Sequence, residues 1–597
     1  MSSINKKNSS PIKLLLNYIS LWKSKVFTAS LFSALNKIFD IAPEVLIGVA
    51  VDLVVKKNDS FVASLGFKTI DSQVIFIGGI TFVIWALESL FEYLYMIQWR
   101  GLAQKVEHDL RVKTYDHAQR LDLEWHERQS IGNITAVLND DINQLERFLN
   151  NGVNQIIQIS VSTIIIGFIF FYISPLIATI AVLPVPIIFF VSLFFQKKLS
   201  PKYKSIREKV GLLNTLIVNN LMGIKVIKSF MTFGIEKRNL GHKSEDYQQE
   251  NIKAIAISSA FNPLIRMGVL SGFLGTMLIG SYMALNGTLE VGSYSVLVFL
   301  TQRFLWPFTT LSVLIDDFER SMASVGRIFG LLRVPIKIID TSGSISPGSN
   351  SYDIKFENIS FSYQDNVPLF RSLSMEIPHG TSVGLVGDTG SGKTTIAKLL
   401  LRLYELQDGD IYIGGHSIAN LSIEYLREKI GIVSQESFLF DASIYDNITY
   451  GVKEPKNLEV EQAIEKSQCN EFIDKLPDGL DTVVGERGQI LSGGQRQRIS
   501  IARTLIRNPE VIIFDEATSA VDNKTEQLIQ KAIFEIIKER TSIIIAHRLS
   551  TIRNCQNIFV LDEGKIIEQG NHDSLINQKD SYYRKLWNIQ TGNISDS

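Results

Sequence analysis

The stretch Gly387-Asp388-Thr389-Gly390-Ser391-Gly392-Lys393-Thr394 decides the fold of the second half of this chain. An apolar segment typical of a strand, 382–386, precedes it, and 395–401 follows with apolar residues at helical spacing. A strand, a glycine-rich turn and a helix, in that order, are the context in which this pattern holds phosphate. The glycines let backbone N–H groups close around phosphate oxygens, and the start of the helix adds positive partial charge. The sequence therefore predicts a phosphate loop.

Two side chains of the loop have predicted roles. Lys393 is expected to reach the β- and γ-phosphates of a nucleotide, and the Thr394 hydroxyl is expected to ligate magnesium. The flanking strand and helix make a glycine-rich turn without a ligand the weaker interpretation.

Length and composition set further limits. A chain of 597 residues predicts two or more domains, and the net charge of −1 gives no electrostatic reason to expect nucleic acid as a partner. The two cysteines, Cys469 and Cys555, lie far apart in the sequence, which argues against a disulfide framework or a thiolate metal site.

The first half of the chain carries long apolar runs. Residues 1–25 are predicted to be a cytosolic tail followed by an interfacial helix, and 26–320 a helical transmembrane domain. Six spans are placed near 26–55, 73–98, 152–174, 176–196, 256–285 and 293–316. Lysines and arginines cluster before the first span and after the second and fourth, so both termini are expected in the cytosol of a multi-pass plasma membrane protein.

The two cytosolic connections are unusually long and have a helical pattern. Residues between the second and third spans, and between the fourth and fifth, are predicted to form antiparallel helical stalks, each about 38 Å long. Each is interrupted once, near 124–132 and 230–236, where a short turn is expected to touch another domain.

A soluble α/β domain is predicted over 353–590, after a linker at 321–352 and before a short tail at 591–597. Its predicted strands are 354–361, 383–387, 430–433, 511–514, 542–546 and 558–561. The strand at 511–514 ends in Asp515 and Glu516. Asp515 is expected to hold magnesium, and Glu516 to polarise an attacking water as general base.

A second motif, Leu491-Ser492-Gly493-Gly494-Gln495, precedes an apolar helical pattern. Ser492 is expected to cap that helix and to present N–H groups, a hydroxyl and the helix dipole to an anion. A helix cap alone would account for Ser492 but not for two successive glycines and a glutamine.

With these motifs the chain resembles an ATP-binding cassette (ABC) exporter half-transporter, of the bacterial multidrug or lipid-flippase type. The likeness covers residues 11–590. It implies an α-helical six-span membrane domain with long cytosolic helical extensions, fused to an α/β P-loop nucleotide-binding domain. It also implies ATP and Mg²⁺ as cofactors, and two chains that meet head to tail so that each completes the other's nucleotide site.

The resemblance assigns further residues. Tyr363 matches the aromatic residue that stacks on adenine, Gln435 the glutamine that touches magnesium and water, and His547 the switch histidine. Residues 482–488 match a loop that contacts the stalk turns, and 519–522 a loop that communicates between two nucleotide domains. The catalytic set is then Glu516, His547 and Gln435; the metal set is Thr394, Gln435 and Asp515; and the nucleotide set is Tyr363, Gly387, Asp388, Thr389, Gly390, Ser391, Gly392, Lys393, Thr394, Thr395, Ser492, Gly493, Gly494 and Gln495.

The expected function is ATP-driven export or flipping of a small amphipathic substrate, such as a lipid, drug or peptide, by a dimer in the lipid bilayer. Because this chain has the full set of motif residues, a homodimer is the simpler expectation. An importer with an exporter-like fold and an ATP-gated regulatory membrane protein remain as alternatives. Charges predicted inside the spans (Lys37, Asp40, Glu44, Glu88, Glu92, Arg266 and Arg303) either pair with each other or line a pathway.

Overall fold

A computed structural model describes residues 10–340, 345–348, 351–364, 367–516, 523–538, 540–546 and 548–591. The chain forms two compact units. The first consists of Met1–Arg120 and Gln129–Val334, and the second of Leu121–Arg128 and Pro335–Ser597. The short segment Leu121–Arg128, which comes from the first predicted stalk, therefore belongs to the unit that carries the phosphate loop.

The first unit is helical. In chain order the helices up to residue 332 are α1 Pro11–Ile19, α2 Lys23–Lys56, α3 Phe61–Ser64, α4 Ile70–Arg120, α5 Leu123–Arg128, α6 Ile131–Ala136, α7 Ile142–Arg147, α8 Val153–Ile173, α9 Pro175–Val182, α10 Pro184–Met222, α11 Ile224–Phe230, α12 Phe233–Leu285, α13 Val291–Leu305 and α14 Leu311–Leu332. All of them except α5 lie in the first unit. α14 continues into the segment 321–352 that the sequence predicts as a linker.

Among the described residues, five helical stretches are long and apolar enough to cross a membrane: Ile70–Arg120, Ile131–Ile173, Pro175–Met222, Phe233–Leu285 and Val291–Leu332. They contain the second to sixth predicted spans. The first predicted span falls in α2, whose 34 residues would extend about 51 Å. α2 is outside the apolar set because charged side chains interrupt it. The first predicted span, and with it the total of six spans, therefore stays a prediction.

The predicted stalks are continuous with the spans. α4 is 51 residues long and α12 is 53, so each runs unbroken from the apolar part of the chain into a charged extension. Short helices mark the predicted interruptions. α5 follows the end of α4 at Arg120, and α11 ends at Phe230, after which Met231 has a left-handed φ of 54°. The two interruptions are confirmed within a few residues.

The predicted interfacial helix is α1, and much of its apolar face packs on protein. Leu14, Leu15 and Tyr18 are buried in a cluster with side chains of α4 and α14, while Leu16 stays exposed. Protein packing therefore takes the place of lipid for this part of the helix.

An ion-pair cluster, here the α2–α13 cluster, joins the two helices for which it is named. Arg303 Nε donates to Glu44 Oε1 at 2.6 Å, and an Arg303 terminal nitrogen lies 3.1 Å from Asp40 Oδ1. Lys37 Nζ lies 2.7 Å from the other oxygen of Asp40. Glu44 is 8% exposed, and its Oε2 has no hydrogen-bond partner among the described residues. These contacts favour the structural interpretation for Asp40, Glu44 and Arg303.

The second unit is α/β. Its elements after α5 are β1 Ile354–Phe361, β2 Phe370–Ile377, β3 Ser382–Gly387, α15 Lys393–Leu400, β4 Asp408–Ile413, β5 His416–Ser417, α16 Ile423–Lys429, β6 Ile430–Val433, α17 Ile444–Ile448, α18 Asn457–Lys466, α19 Asn470–Ile473, α20 Gly493–Leu505, β7 Val511–Asp515, α21 Asn523–Ile537, β8 Thr541–Ile545, α22 Leu549–Ile552, β9 Asn557–Asp562, β10 Lys565–Gly570, α23 His572–Asn577 and α24 Tyr582–Thr591. The six predicted strands are confirmed as β1, β3, β6, β7, β8 and β9.

The strands form two sheets. A four-stranded sheet has the order β2-β1-β4-β5, with antiparallel pairs, and a six-stranded sheet has the order β10-β9-β3-β8-β7-β6. β9, β3, β8, β7 and β6 run parallel, so their carboxyl ends share one edge. In such sheets ligands bind outside the carboxyl ends of the strands, and the phosphate loop follows β3 at that edge.

Removing one charge from the α2–α13 cluster tests its structural role. We expect Glu44→Gln to destabilise the protein by about 1–3 kcal/mol, because Arg303 then lacks its closest partner in a partly buried position. The measurement is thermal unfolding in lipid nanodiscs. Glu92→Gln is the matched control, since Glu92 is exposed and has no ion pair among the described residues. An equal melting temperature for both variants would contradict the assignment.

Candidate functional site

The phosphate loop has a backbone that only glycine tolerates. Gly387, Gly390 and Gly392 have φ angles of 153°, 90° and 102°. A Cβ at Gly387 would lie 2.0 Å from the carbonyl oxygen of Leu561, and one at Gly392 would lie 2.5 Å from the Phe370 ring. The glycines thus allow the loop to pass between β9 and β2 before it enters α15.

Lys393 lies over this loop. Its Nζ donates to the carbonyl oxygens of Gly387 and Asp388, both at 2.8 Å. The side chain is buried, and burial lowers the pKa of its ammonium, while the carboxylates of Glu516, Asp388 and Asp515 oppose that shift. The ammonium is therefore directed into the loop, where phosphate oxygens would meet it.

The loop carries one buried hydroxyl without a partner. Ser391 is 4% exposed, and its Oγ has no hydrogen-bond partner among the described residues. An orphaned buried hydroxyl costs free energy unless a ligand or water satisfies it. A phosphate oxygen of ATP fits that requirement.

Thr394 connects the loop to β7. Its hydroxyl donates to Asp515 Oδ1 at 3.1 Å. Asp515 ends β7 with 5% of its surface exposed, and burial raises its pKa, while the Thr394 hydrogen bond opposes the shift. β8 separates β3 from β7 in the sheet, so the strand order brings these two side chains to one edge.

Glu516 adopts a strained conformation beyond the end of β7. Its φ is +50°, and its N–H donates to the carbonyl oxygen of Ile545 at 2.9 Å. Gln435 Nε2 donates to Glu516 Oε2 at 2.5 Å. A left-handed φ on a non-glycine residue costs free energy, and the hydrogen bond from the Glu516 N–H to Ile545 helps to hold it. The predicted Gln435, Asp515 and Glu516 are thus brought to the loop. His547 and residues 517–522 lie outside the described residues.

Ser492 caps α20, as the sequence predicts. Ser492 Oγ accepts from Gln495 N–H, and Gln495 Oε1 accepts from Ser492 N–H at 2.8 Å. This capping box explains the glutamine by local structure, which the sequence interpretation did not foresee. Among the described residues, no hydrogen bond connects 492–495 to the phosphate loop. The Ser492 side chain is exposed.

Tyr363 lies beside α15. Its hydroxyl is 3.0 Å from Thr395 Oγ1, and its ring meets Phe361 and Tyr404 edge to face at 4.9 and 5.2 Å between centroids. Lys398 Nζ lies 5.7 Å from the ring centroid. The aromatic ring is therefore near the phosphate loop, as its predicted role requires.

Sequence reasoning missed the residues of α5 that join this region. Glu127 accepts hydrogen bonds from Lys398 Nζ at 2.9 Å and from the Tyr404 hydroxyl. Arg128 donates to the backbone oxygen of Tyr363 at 3.3 Å. The sequence predicted an interruption near 124–132 that touches another domain, but it did not indicate which residues of that domain the turn contacts.

The last helix also reaches the site. The Tyr582 hydroxyl donates to Asp388 Oδ2 at 2.7 Å, and this hydrogen bond raises the pKa of Tyr582 to about 12. Gln590 Oε1 accepts from Leu549 N–H at 2.9 Å, at the start of α22. α24 thereby contacts both the phosphate loop and the helix that follows β8. No motif in the sequence indicates this role.

Both halves of the chain match models of known protein families. Residues 26–308 match the ABC transporter transmembrane region, and residues 370–519 match the ABC transporter domain. An uncharacterized ABC transporter ATP-binding protein of Bacillus subtilis (strain 168), YknV, is 33% identical over 94% of this chain and 92% of its own length.

Two further similarities span nearly the whole chain. The ATP-dependent lipid A-core flippase of Aliivibrio fischeri is 32% identical over 92% of this chain and 95% of its own. The solved structure of a bacterial Atm1-family ABC exporter with ATP bound has a TM-score of 0.81 at 28% identity, and the match covers 97% of this chain and 99% of that one.

Removing the contact from α24 should loosen the phosphate loop. We expect Tyr582→Phe to raise the KM for ATP about two- to tenfold with a smaller effect on kcat, because one hydrogen bond to a loop carboxylate is lost. Steady-state ATP hydrolysis measures both constants. The exposed Tyr450 provides a control in Tyr450→Phe. An unchanged KM in Tyr582→Phe would show that the contact does not position the loop.

Proposed function

The chain belongs to the ABC transporter family, and on that premise we propose that it works as a homodimeric exporter or flippase of a small amphipathic substrate. Its ABC domain makes it an ATPase, and its apolar helices make it a membrane protein. One observation carries the proposal: the phosphate loop and the residues Gln435, Asp515 and Glu516 meet at one edge of the parallel sheet.

In the proposed reaction the chain's residues act on ATP by position and charge. Backbone N–H groups of the loop and the Lys393 ammonium hold the phosphates, and the Tyr363 ring stacks on adenine. Glu516 polarises the attacking water, while the hydrogen bond from Gln435 fixes the orientation of its carboxylate. His547 is proposed to bind the γ-phosphate.

Magnesium fits the residues that the sequence assigns to it. The Thr394 hydroxyl, the Asp515 carboxylate and the Gln435 amide oxygen are hard oxygen donors, and Mg²⁺ takes such ligands together with phosphate oxygens and water. When bound, the ion neutralises charge that develops on the phosphates. Thr394 and Asp515 already face each other at 3.1 Å, which supports a shared ligand.

A second copy of the chain is the proposed partner. The Ser492 cap is exposed and has no hydrogen bond to the phosphate loop among the described residues, so a head-to-tail partner would bring a cap to each loop. The region of α11 also exposes Val226, Phe230 and Met231 at 60%, 74% and 75%, and contiguous exposed apolar side chains mark interaction surfaces.

Export from the cytosolic side of the plasma membrane is favoured over the alternatives. Two of the similar proteins are named an exporter and a flippase. An importer would instead have to couple ATP hydrolysis to movement of the substrate into the cytosol. An ATP-gated regulatory protein needs no hydrolytic turnover, and the general-base carboxylate Glu516 is present with a hydrogen-bond donor at 2.5 Å. Both termini and the nucleotide-binding domain are proposed to be cytosolic.

Two substitutions separate binding from turnover. Glu516→Gln is expected to keep ATP binding and lower the hydrolysis rate by about 10²–10⁴-fold, because the water loses its base. Lys393→Ala is expected to weaken ATP binding itself. Nucleotide binding and phosphate release are measured on the same purified protein in nanodiscs. Near-normal hydrolysis by Glu516→Gln would refute its role.

Mixing two inactive variants tests the composite sites. Lys393→Ala and Ser492→Arg chains are each expected to be inactive, but a mixed dimer retains one site with an intact loop and an intact cap. An equal mixture should recover about a quarter of wild-type hydrolysis if chains pair at random and the sites act independently. The chains are purified without any other protein and mixed before reconstitution. No recovery, or a purely monomeric wild type, would refute the homodimer.

A further inference from the structure

A cavity of about 760 Å³ lies within the first unit, between α10, α12 and the segment 306–323. On α10 its lining residues Gln196, Leu199, Tyr203 and Arg207 follow one another at intervals of three or four, so they share one helix face. On α12 the lining residues Ser258, Asn262 and Arg266 do the same. The cavity is therefore a groove between helix faces, of a size that holds a drug-sized molecule.

The lining is amphipathic. Phe195, Phe261, Trp306 and Val313 provide aromatic and aliphatic surface, and Gln196 and Asn262 provide hydrogen-bonding groups. A fully apolar molecule would leave these amides unsatisfied, and a fully polar one would leave the aromatic rings in water.

Three arginines and two carboxylates supply the charge of the lining. Arg320 is neutralised by Asp316, with 2.6 Å between the guanidinium and the carboxylate. Arg207, Arg266 and Glu319 have no ion pair among the described residues. These three unpaired side chains together carry a net charge of +1. Two of them are guanidinium groups that can bind a ligand.

Arg266 differs from Arg303 in its surroundings. Both arginines lie in predicted spans, where a charge is costly and is usually paired or faces an aqueous cavity. Arg303 is paired with Glu44 and Asp40 in the α2–α13 cluster. Among the residues that the structure describes, Arg266 has no such pair and lines the cavity, so its guanidinium can bind a ligand there.

We infer that this cavity binds the transported substrate and selects an amphipathic anion, a phosphate or carboxylate on an apolar body. Arg266 and Arg207 bind the anionic group, because guanidinium groups pair with such oxygens through two parallel hydrogen bonds. Trp306 and Phe261 contact the apolar body. This inference rests on the proposed transport function and adds the chemical class of its substrate.

Decyl phosphate is the probe, and decyltrimethylammonium is its cationic counterpart with the same chain. We expect decyl phosphate to stimulate ATP hydrolysis by the protein in phosphatidylcholine nanodiscs, and the cation to have little effect. Arg266→Gln should raise the half-stimulating concentration about tenfold or more, through loss of a charged hydrogen-bonding partner. Arg207→Gln should act in the same direction.

Lys197→Gln is the matched control. Lys197 is an exposed cation on α10, next to the lining residue Gln196 but outside the lining, so its removal should leave the half-stimulating concentration unchanged. Arg266→Lys keeps the charge and loses the paired hydrogen bonds, and an intermediate concentration is expected. If Arg266→Gln does not fold, Arg266→Lys and Arg207→Gln decide.

A second arm distinguishes a lipid from a soluble anion. Nanodiscs that contain phosphatidic acid, with no decyl phosphate added, should stimulate hydrolysis in an Arg266-dependent manner if the group belongs to a lipid. Stimulation by decyl phosphate alone would identify a soluble organic anion. Either result supports the inference.

Three outcomes overturn it: equal stimulation by the anion and the cation, no stimulation by either anion source, or an unchanged half-stimulating concentration in the arginine variants. Each of these leaves ATP hydrolysis by the wild type in place. A wild type that neither binds nor hydrolyses ATP would instead refute the proposed function, so the two failures are distinguishable.

Discussion

The close approach of the phosphate loop to β9 constrains the whole nucleotide site. Any side chain at Gly387 would collide with the Leu561 carbonyl, so the backbone can leave β3 along this path only with glycine at this position. The loop then places the start of α15 at the edge of the sheet where β7 ends in Asp515. Thr394 can then reach Asp515, and Lys393 can bond the loop's own carbonyls. The positions of Lys393 and Thr394, which are proposed to bind the phosphates and magnesium, depend on this single turn of the backbone.

The sequence predicted the parallel strands well because each is a short, nearly continuous run of apolar, mostly β-branched residues. β2, β4, β5 and β10 were missed for a physical reason. β2 alternates buried and exposed residues and includes Ser372, Ser374 and Glu376, so its apolar face is too diluted to stand out. Its stability comes from pairing with β1, a contact that no local window contains.

At the candidate site, the motif residues were predictable and their supporting contacts were not. Local spacing identified Lys393, Asp515, Glu516 and Ser492. The hydrogen bonds from Tyr582 and to Glu127 join residues that are distant in sequence, and single polar residues on helices carry no signal of their partners. The membrane charges show the same limit. Composition located Arg266 and Arg303, but only packing separates the paired guanidinium from the one that faces a cavity.

The position of β9 and α24 near the end of the chain has a consequence for biosynthesis. The ribosome makes the membrane helices first, then β3 and its loop, and only much later the residues that hold that loop in place. Domains generally fold as units during synthesis, in order from the N-terminus. The Leu561 carbonyl and the Tyr582 hydroxyl emerge after the phosphate loop, so a nascent chain has its apolar helices ready for insertion while that loop still lacks these two contacts. The loop therefore gains these two supports only after β9 and α24 have been synthesised, long after the helices that enter the membrane.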